Sequence, residues 1–249
     1  MIREPAVAGM FYPADPGELR RMIDGFLAAA KPGPHPKAII APHAGYIYSG
    51  PIAASVYKRI NPEKISRVVL IGPSHRVALR GLAASSAPAW RTPLGEVSVA
   101  RPNFVPISDA AHAQEHSLEV QVPFLQTVLG DFTLLPLVAG EASAEEVAGV
   151  LEKCWGGPET LIVISSDLSH YENYKTARTM DKAAAEAILA FDERRLECDN
   201  ACGLVPICGL LHLAKQKKMR AELVDLRNSG DTAGPRDSVV GYGAFAFYE

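Results

Sequence analysis

Apolar and polar positions follow two different periods along this chain. Leu19, Met22, Ile23, Phe26 and Leu27 recur three and four residues apart, the single stripe of an amphipathic helix. Asp15 stands at its cap with Glu18 three residues on, and Pro16 fills the first turn, where a missing N–H goes unnoticed. A Lys/Pro/Gly cluster at 31–36 ends the helix. The pattern then changes. Short continuous apolar runs at Ala38–Ala41, 68–71, 132–138 and 161–164 read as strands buried on both faces. Between them, helices are predicted over 51–59, 117–129, 143–155 and 176–190, and from about 206. The fourth residue of the 143–155 helix, Glu146, completes a capping box with Ser143. Strands at 221–226 and 239–247 close the chain. The last alternates Tyr242, Ala244, Ala246 and Tyr248 against Gly243, Phe245 and Phe247, which suits an edge or antiparallel place.

Buried strands alternating with amphipathic helices predict an α/β fold, with a mostly parallel central sheet flanked by helices on both faces. No linker or repeat divides the sequence, so residues 1–249 are read as a single domain. A chain of this length buries roughly three quarters of its unfolded surface, so neither disulfides nor a structural metal is needed to hold the fold.

Composition narrows the function. Lys plus Arg is 25 against 28 for Asp plus Glu, a net charge of −3. That balance lacks the basic excess that nucleic-acid backbones require, so no nucleic-acid partner is expected. No apolar run reaches ~20 residues, so no membrane span is expected. The start, MIREPAVAGMFYP, carries no secretory pattern. Cys154, Cys198, Cys202 and Cys208 contain no Cys-x-x-Cys pair. Free thiols, and hence a reducing cytoplasmic setting, are the expectation.

Three of the seven histidines share one context. His43 lies two residues beyond the run AIIA, His75 four beyond VVLI, and His170 six beyond LIVI. Open parallel sheets bind ligands at the carboxyl ends of their strands, so these imidazoles are expected to converge on one ion or substrate. His35, in the 31–36 linker, reads as exposed. His112 and His116 flank Glu115 before a helix and suit either capping or a site. Cys202 precedes a helix, where the positive end of the dipole lowers a thiol's pKa. Cys208 and His212 are spaced i, i+4 and could pair on zinc with Cys198 and Cys202, although the apolar face around Cys208 favours a core position. Asp167 either caps the helix that follows or accepts the ring N–H of His170.

Seven motifs occur in order: AVAGMFYP (6–13), APHAGYIYSG (41–50), GPSHR (72–76), RTPLG (91–95), EHSLEVQVPFLQ (115–126), SSDLSHY (165–171) and ACG (201–203). Together they resemble the Memo family, named for mediator of ErbB2-driven cell motility, whose prokaryotic members are the protein B component of the AmmeMemoRadiSam system. The resemblance implies a fold similar to class III extradiol dioxygenases. It implies a divalent metal on His43, His75 and Cys202, and an acid/base role for His170; from the residues themselves, Asp167 is expected to orient that ring and His116 to help. Phe11, Tyr46 and Ser74, which lie in the first three motifs, are the candidate substrate contacts.

The dioxygenases use two histidines and a carboxylate on iron(II). Here the resemblance puts a thiolate in the carboxylate's place. Thiolate is softer, so iron(II) is the first expectation while copper and zinc compete better. The resemblance thus implies a non-haem iron-dependent oxidoreductase acting on an aromatic or other small chelating substrate. Its alternatives are a non-catalytic protein that binds a metal or peptide in the same pocket, and a partner of a radical-SAM enzyme, with radical-SAM and AMMECR1-type proteins as partners.

Overall fold

The apolar runs that the sequence marks as buried strands form the parallel heart of one ten-stranded sheet. The computed structural model describes residues 1–249 apart from the side chain of Cys198. In chain order its elements are α1 (Pro16–Ala29), β1 (Ala38–Ala41), α2 (Tyr46–Tyr57), β2 (Arg67–Pro73), β3 (Leu82–Ala84), β4 (Ala89–Thr92), β5 (Gly95–Val99), α3 (Asp109–Ala113), α4 (His116–Glu119), α5 (Val122–Leu129), β6 (Thr133–Ala139), α6 (Ala144–Cys154), β7 (Thr160–Ser165), β8 (His170–Glu172), α7 (Tyr174–Leu189), α8 (Leu204–Gln216), β9 (Arg220–Asn228) and β10 (Val239–Tyr248).

Strands run in the order β4-β5-β6-β2-β7-β1-β10-β8, with β3 on β6 and β9 on β10. β5, β6, β2, β7 and β1 are mutually parallel. β10 joins β1 antiparallel, with Ile39 opposite Ala246. β7 lies between β1 and β2, so the loops leaving all three share one edge of the sheet.

Alternate residues of the central strands feed two cores. Ile39, Val68 and Val163 face one side with Leu19 and Ile23 of α1, Ile52 of α2 and Leu125 of α5. Ile40, Ile71 and Ile164 face the other with Leu151 of α6, Ile188 of α7 and Leu211 of α8. Each such buried side chain stabilises the fold by roughly 1.5–3 kcal/mol, so the sheet edge rests on a scaffold that holds without any ion.

Several elements differ from the sequence reading. α2 begins at Tyr46 and carries Pro51 inside it. It packs so closely on α1 that a Cβ at Gly50 would lie 2.4 Å from the Phe26 ring. The helix expected over 117–129 is broken into α4 and α5, because Pro123 at the start of α5 has no N–H to give the Glu119 carbonyl. The β4–β5 hairpin and the short β3 and β8 have too little apolar periodicity to stand out. His35 is also not free in solvent: it is half-buried, and its Nδ1 accepts the Asn61 N–H at 3.1 Å.

Candidate metal centre

His43 leaves the end of β1 buried, at 2 % exposure. Its backbone N–H donates to Asp167 Oδ1 at 2.7 Å. Its Nδ1 lies 2.9 Å from Ser165 Oγ. That hydroxyl spends its single proton on the Ser117 carbonyl at 2.6 Å and also accepts from Gln121 Nε2 at 2.8 Å. Nδ1 of His43 is therefore the donor, and Nε2 is left with a free lone pair. Burial, followed by the neighbouring imidazoles, holds the His43 pKa well below its ordinary value, so the ring is neutral.

His75, just past the end of β2, is fixed by one carboxylate. Glu115 Oε2 accepts the His75 backbone N–H at 2.5 Å and Oε1 accepts its Nδ1–H at 2.9 Å. Glu115 also caps α4 by accepting the Ser117 N–H at 2.9 Å. Burial opposes ionisation of Glu115, but these hydrogen bonds from His75 and Ser117 outweigh it and hold the carboxyl down at about 2. With Nδ1 committed, Nε2 of His75 is the nitrogen left to face the site.

Cys202 comes from the turn before α8. Its Sγ is 3.2 Å from His43 Nε2, and it accepts the Asp167 backbone N–H at 3.3 Å. The turn fits there only because residue 203 is glycine: a Cβ would meet the Ser165 carbonyl at 2.7 Å. The helix-start position does not lower this thiol. Burial, then the Asp167 charge, push it up to about 12, since low polarity outweighs a dipole term of ~0.3–1 kcal/mol. In the metal-free chain Cys202 is a thiol, and a bound cation would displace its proton.

The donor atoms of His43, His75 and Cys202 all lie within 4.8 Å of one another. Two donors ~2.0–2.3 Å from one tetrahedral ion stand roughly 3.5 Å apart, close to the separation of Nε2 and Sγ. The set fits a divalent cation on its donor chemistry: two imidazoles whose Nδ1 atoms are committed elsewhere, and one displaceable thiol proton. His75, Glu115 and His116 are also clustered within that distance. Glu115 already accepts three N–H donors, however, and is better read as the carboxylate that orients His75.

Beside the trio opens a cleft of about 390 Å³. Phe11, His116, Asp167 and His170 all line it. Phe11 lies against the His116 ring, centroids 4.6 Å apart, and His116 stacks on His75 at 4.7 Å and 17°. Among the described residues Nδ1 of His116 has no hydrogen-bond partner, the Glu115 carboxylate standing 3.5 Å away. Burial, then His75, lower His116 to about 4, and burial lowers His170. Asp167 is pushed up to about 7 by burial, against the hydrogen bonds it accepts from the His43 and Ala44 backbone.

Several expected contacts take other places. Among the described residues no hydrogen bond joins Asp167 to His170; the carboxylate instead holds the His43 backbone, because β1 and β7 are neighbours and bring their loops together. Tyr46 does not line the cleft. Its ring is 2 % exposed and its hydroxyl donates to the Val120 carbonyl at 2.7 Å, since α2 starts at this residue and turns it into the core. Ser74 faces a separate cavity that it shares with Cys202, and its hydroxyl donates to the Val77 carbonyl at 2.7 Å, bracing the loop. Cys208 is half-buried among the residues of α6 and α8 and is pushed up to about 11 by burial, while His212 faces Glu193 at 3.7 Å. Cys198, the other member of that zinc alternative, lies outside the described residues.

The sequence reading missed the layer behind the three donor residues. Glu115, Gln121 and Ser165 fix the histidine tautomers. Glu119 fastens the N-terminal segment: it accepts from Arg3 at 2.6 Å, the Ala6 and Val7 backbone at 2.8 and 3.0 Å, and the Tyr12 hydroxyl at 2.6 Å. That strap sets Phe11 over the cleft. Three of these residues lie in EHSLEVQVPFLQ, where polar residues inside a buried apolar stretch were the available signal.

The family model described as Memo-like protein matches residues 3–246. The chain belongs to the Memo family. It is 38% identical to a MEMO1 family protein of Aquifex aeolicus, covering 97% of each chain. It is also 38% identical to one of Archaeoglobus fulgidus, covering 99% of each. Similarity to the Nitrosopumilus maritimus MEMO1 family protein is 35% identity over 99% of this chain and 100% of the relative. The matched residues take in the loops of β1, β2 and β7 and the turn before α8. Among the described residues no helix is long and apolar enough to cross a membrane.

Proposed function

We propose that this Memo-family chain is a metal-dependent oxidoreductase with iron(II) on His43, His75 and Cys202. One observation carries the reading: three donors face a common point beside a cleft that holds two further imidazoles, His116 and His170, which ligation does not require. Structural metal sites are usually closed by four protein ligands, whereas reactive ones leave positions open. A bound redox-active ion supplies a Lewis-acidic centre able to exchange electrons with a chelating substrate.

The chain's own groups supply the rest. Burial keeps His170 and His116 neutral at pH 7, so each offers a ring nitrogen to a substrate hydroxyl proton. Phe11 screens His116 from water. Asp167 anchors the backbone of one ligand and donates its own N–H to the sulfur of another, which keeps the two at a fixed spacing.

Anaerobic purification, metal analysis and oxygen uptake with a panel of catechols test the proposal. Stoichiometric iron and substrate-dependent oxygen uptake support it. A stably bound ion with no uptake for any substrate would favour the second reading, a non-catalytic protein holding a metal with a small-molecule or peptide ligand. The thiolate favours copper or zinc in that case. Radical-SAM and AMMECR1-type partners are a further proposal, tested by co-purification.

A further inference from the structure

The cleft beside the trio is built from rings. Phe11, Tyr48, Tyr171 and Tyr242 contribute aromatic walls, and His116 and His170 add two imidazoles. Its volume, about 390 Å³, is at the small end of the ~300–1,000 Å³ typical of small-molecule sites. The remaining wall is Ser229, Pro235, Ser238 and Val240, with Ala44 and glycines. Among the described residues no lysine or arginine lines it. The cation nearest in sequence to the 234–238 wall segment is turned away: Arg236 lies 4.5 Å from the Tyr174 ring and donates Nε to the Gly230 carbonyl at 3.3 Å. Arg76, beside His75, is exposed and outside the lining. Asp167, also in the lining, adds no positive charge either.

A second observation concerns the cleft wall formed by β8. Tyr171 is held at φ 60°, a region that non-glycine residues seldom adopt. It is nonetheless 79 % exposed, with its ring edge-on to His170 at 5.8 Å. Packing of the side chain does not explain this backbone cost. A ring displayed beside the cleft would stack on whatever enters it.

We infer that the cleft takes a small aromatic ligand with no anionic substituent on the ring, with Tyr171 stacking on it. A carboxylate on the ring would lose water against the aromatic walls and Val240 with no cation among the lining residues to pair with, which disfavours it relative to a neutral ring. This deepens the proposed function and rests on it for the metal edge of the site.

The test uses the full chain loaded with zinc, which cannot turn over by redox chemistry, and two probes with the same adjacent hydroxyls, catechol and 3,4-dihydroxybenzoate. Calorimetric titration should give catechol a Kd about tenfold or more below that of the benzoate. Ser238→Lys, at an exposed position of the wall, should reduce the gap to about twofold or less by restoring a counter-charge. Tyr171→Ala should weaken catechol about three- to tenfold, and Tyr171→Phe should leave it unchanged. Equal or tighter benzoate binding by the unaltered chain, or binding of neither probe, would overturn the inference. Oxygen uptake by the iron-loaded chain separates the two claims. The binding preference without uptake overturns the oxidoreductase reading and upholds the cleft assignment. Equal kcat/KM for both compounds overturns the cleft assignment alone.

Discussion

Glu115 grips His75 at two points, accepting its backbone N–H at 2.5 Å and its ring Nδ1–H at 2.9 Å. One carboxylate thereby sets both the position of a ligand loop and the tautomer of the ligand. Glu115→Gln keeps the shape but loses the charge and one of the acceptors. Metal affinity should fall about 10–100-fold, the usual effect of removing a carboxylate behind a metal-bound histidine. Competition with a chromophoric chelator measures it. An unchanged affinity would remove Glu115 from the site.

Cys202→Ser should abolish stoichiometric metal binding and shift the melting temperature by only a few degrees. A serine hydroxyl is a poor ligand at neutral pH, and the two cores on either side of the sheet do not depend on the ion. Metal analysis and thermal melts of the same preparation decide this. Unfolding of the variant would make the thiol structural.

His170→Ala should retain the metal. If the oxidoreductase reading is right, turnover should fall ~10²–10⁴-fold, as for a lost general acid or base. A loss of metal equal to that of His43→Ala would instead make His170 a fourth ligand and the site a closed one.

His112 provides a prediction about stability. It is 1 % exposed, and burial depresses it to about 4 even though its ring donates to the Ala83 carbonyl at 3.0 Å. The fold therefore favours the neutral ring. That contribution is complete above the unfolded value of 6.5 and is lost as pH falls through about 4. Between pH 7 and 4 the metal-free chain should lose up to about 3 kcal/mol from this residue. Denaturant titrations of the unaltered chain and His112→Phe should show a stability difference that shrinks toward low pH. A difference independent of pH would contradict the assignment.

The continuous apolar runs made the parallel strands legible, because burial on both faces leaves short unbroken apolar stretches bounded by turn residues. Their loops made His43, His75 and His170 legible as residues of one sheet edge, and the family motifs added Cys202. The partners were not legible. Ser165 reads in sequence as the last residue of a strand, and its role exists only because β7 lies beside β1. Glu115 reads as a helix cap, which it is, and its grip on His75 spans 40 residues. Tyr46 was misread for a related reason: a helix beginning five residues earlier than Pro51 rotates that ring into the core.

Two imidazoles and one thiolate on a single ion have a distinctive X-ray absorption signature at the metal edge of the loaded chain. One sulfur is expected at ~2.3 Å and two nitrogens at ~2.0–2.1 Å, with the sulfur missing from whatever metal Cys202→Ser retains. A shell of nitrogen and oxygen only, or a sulfur signal that survives the substitution, would contradict that ligation.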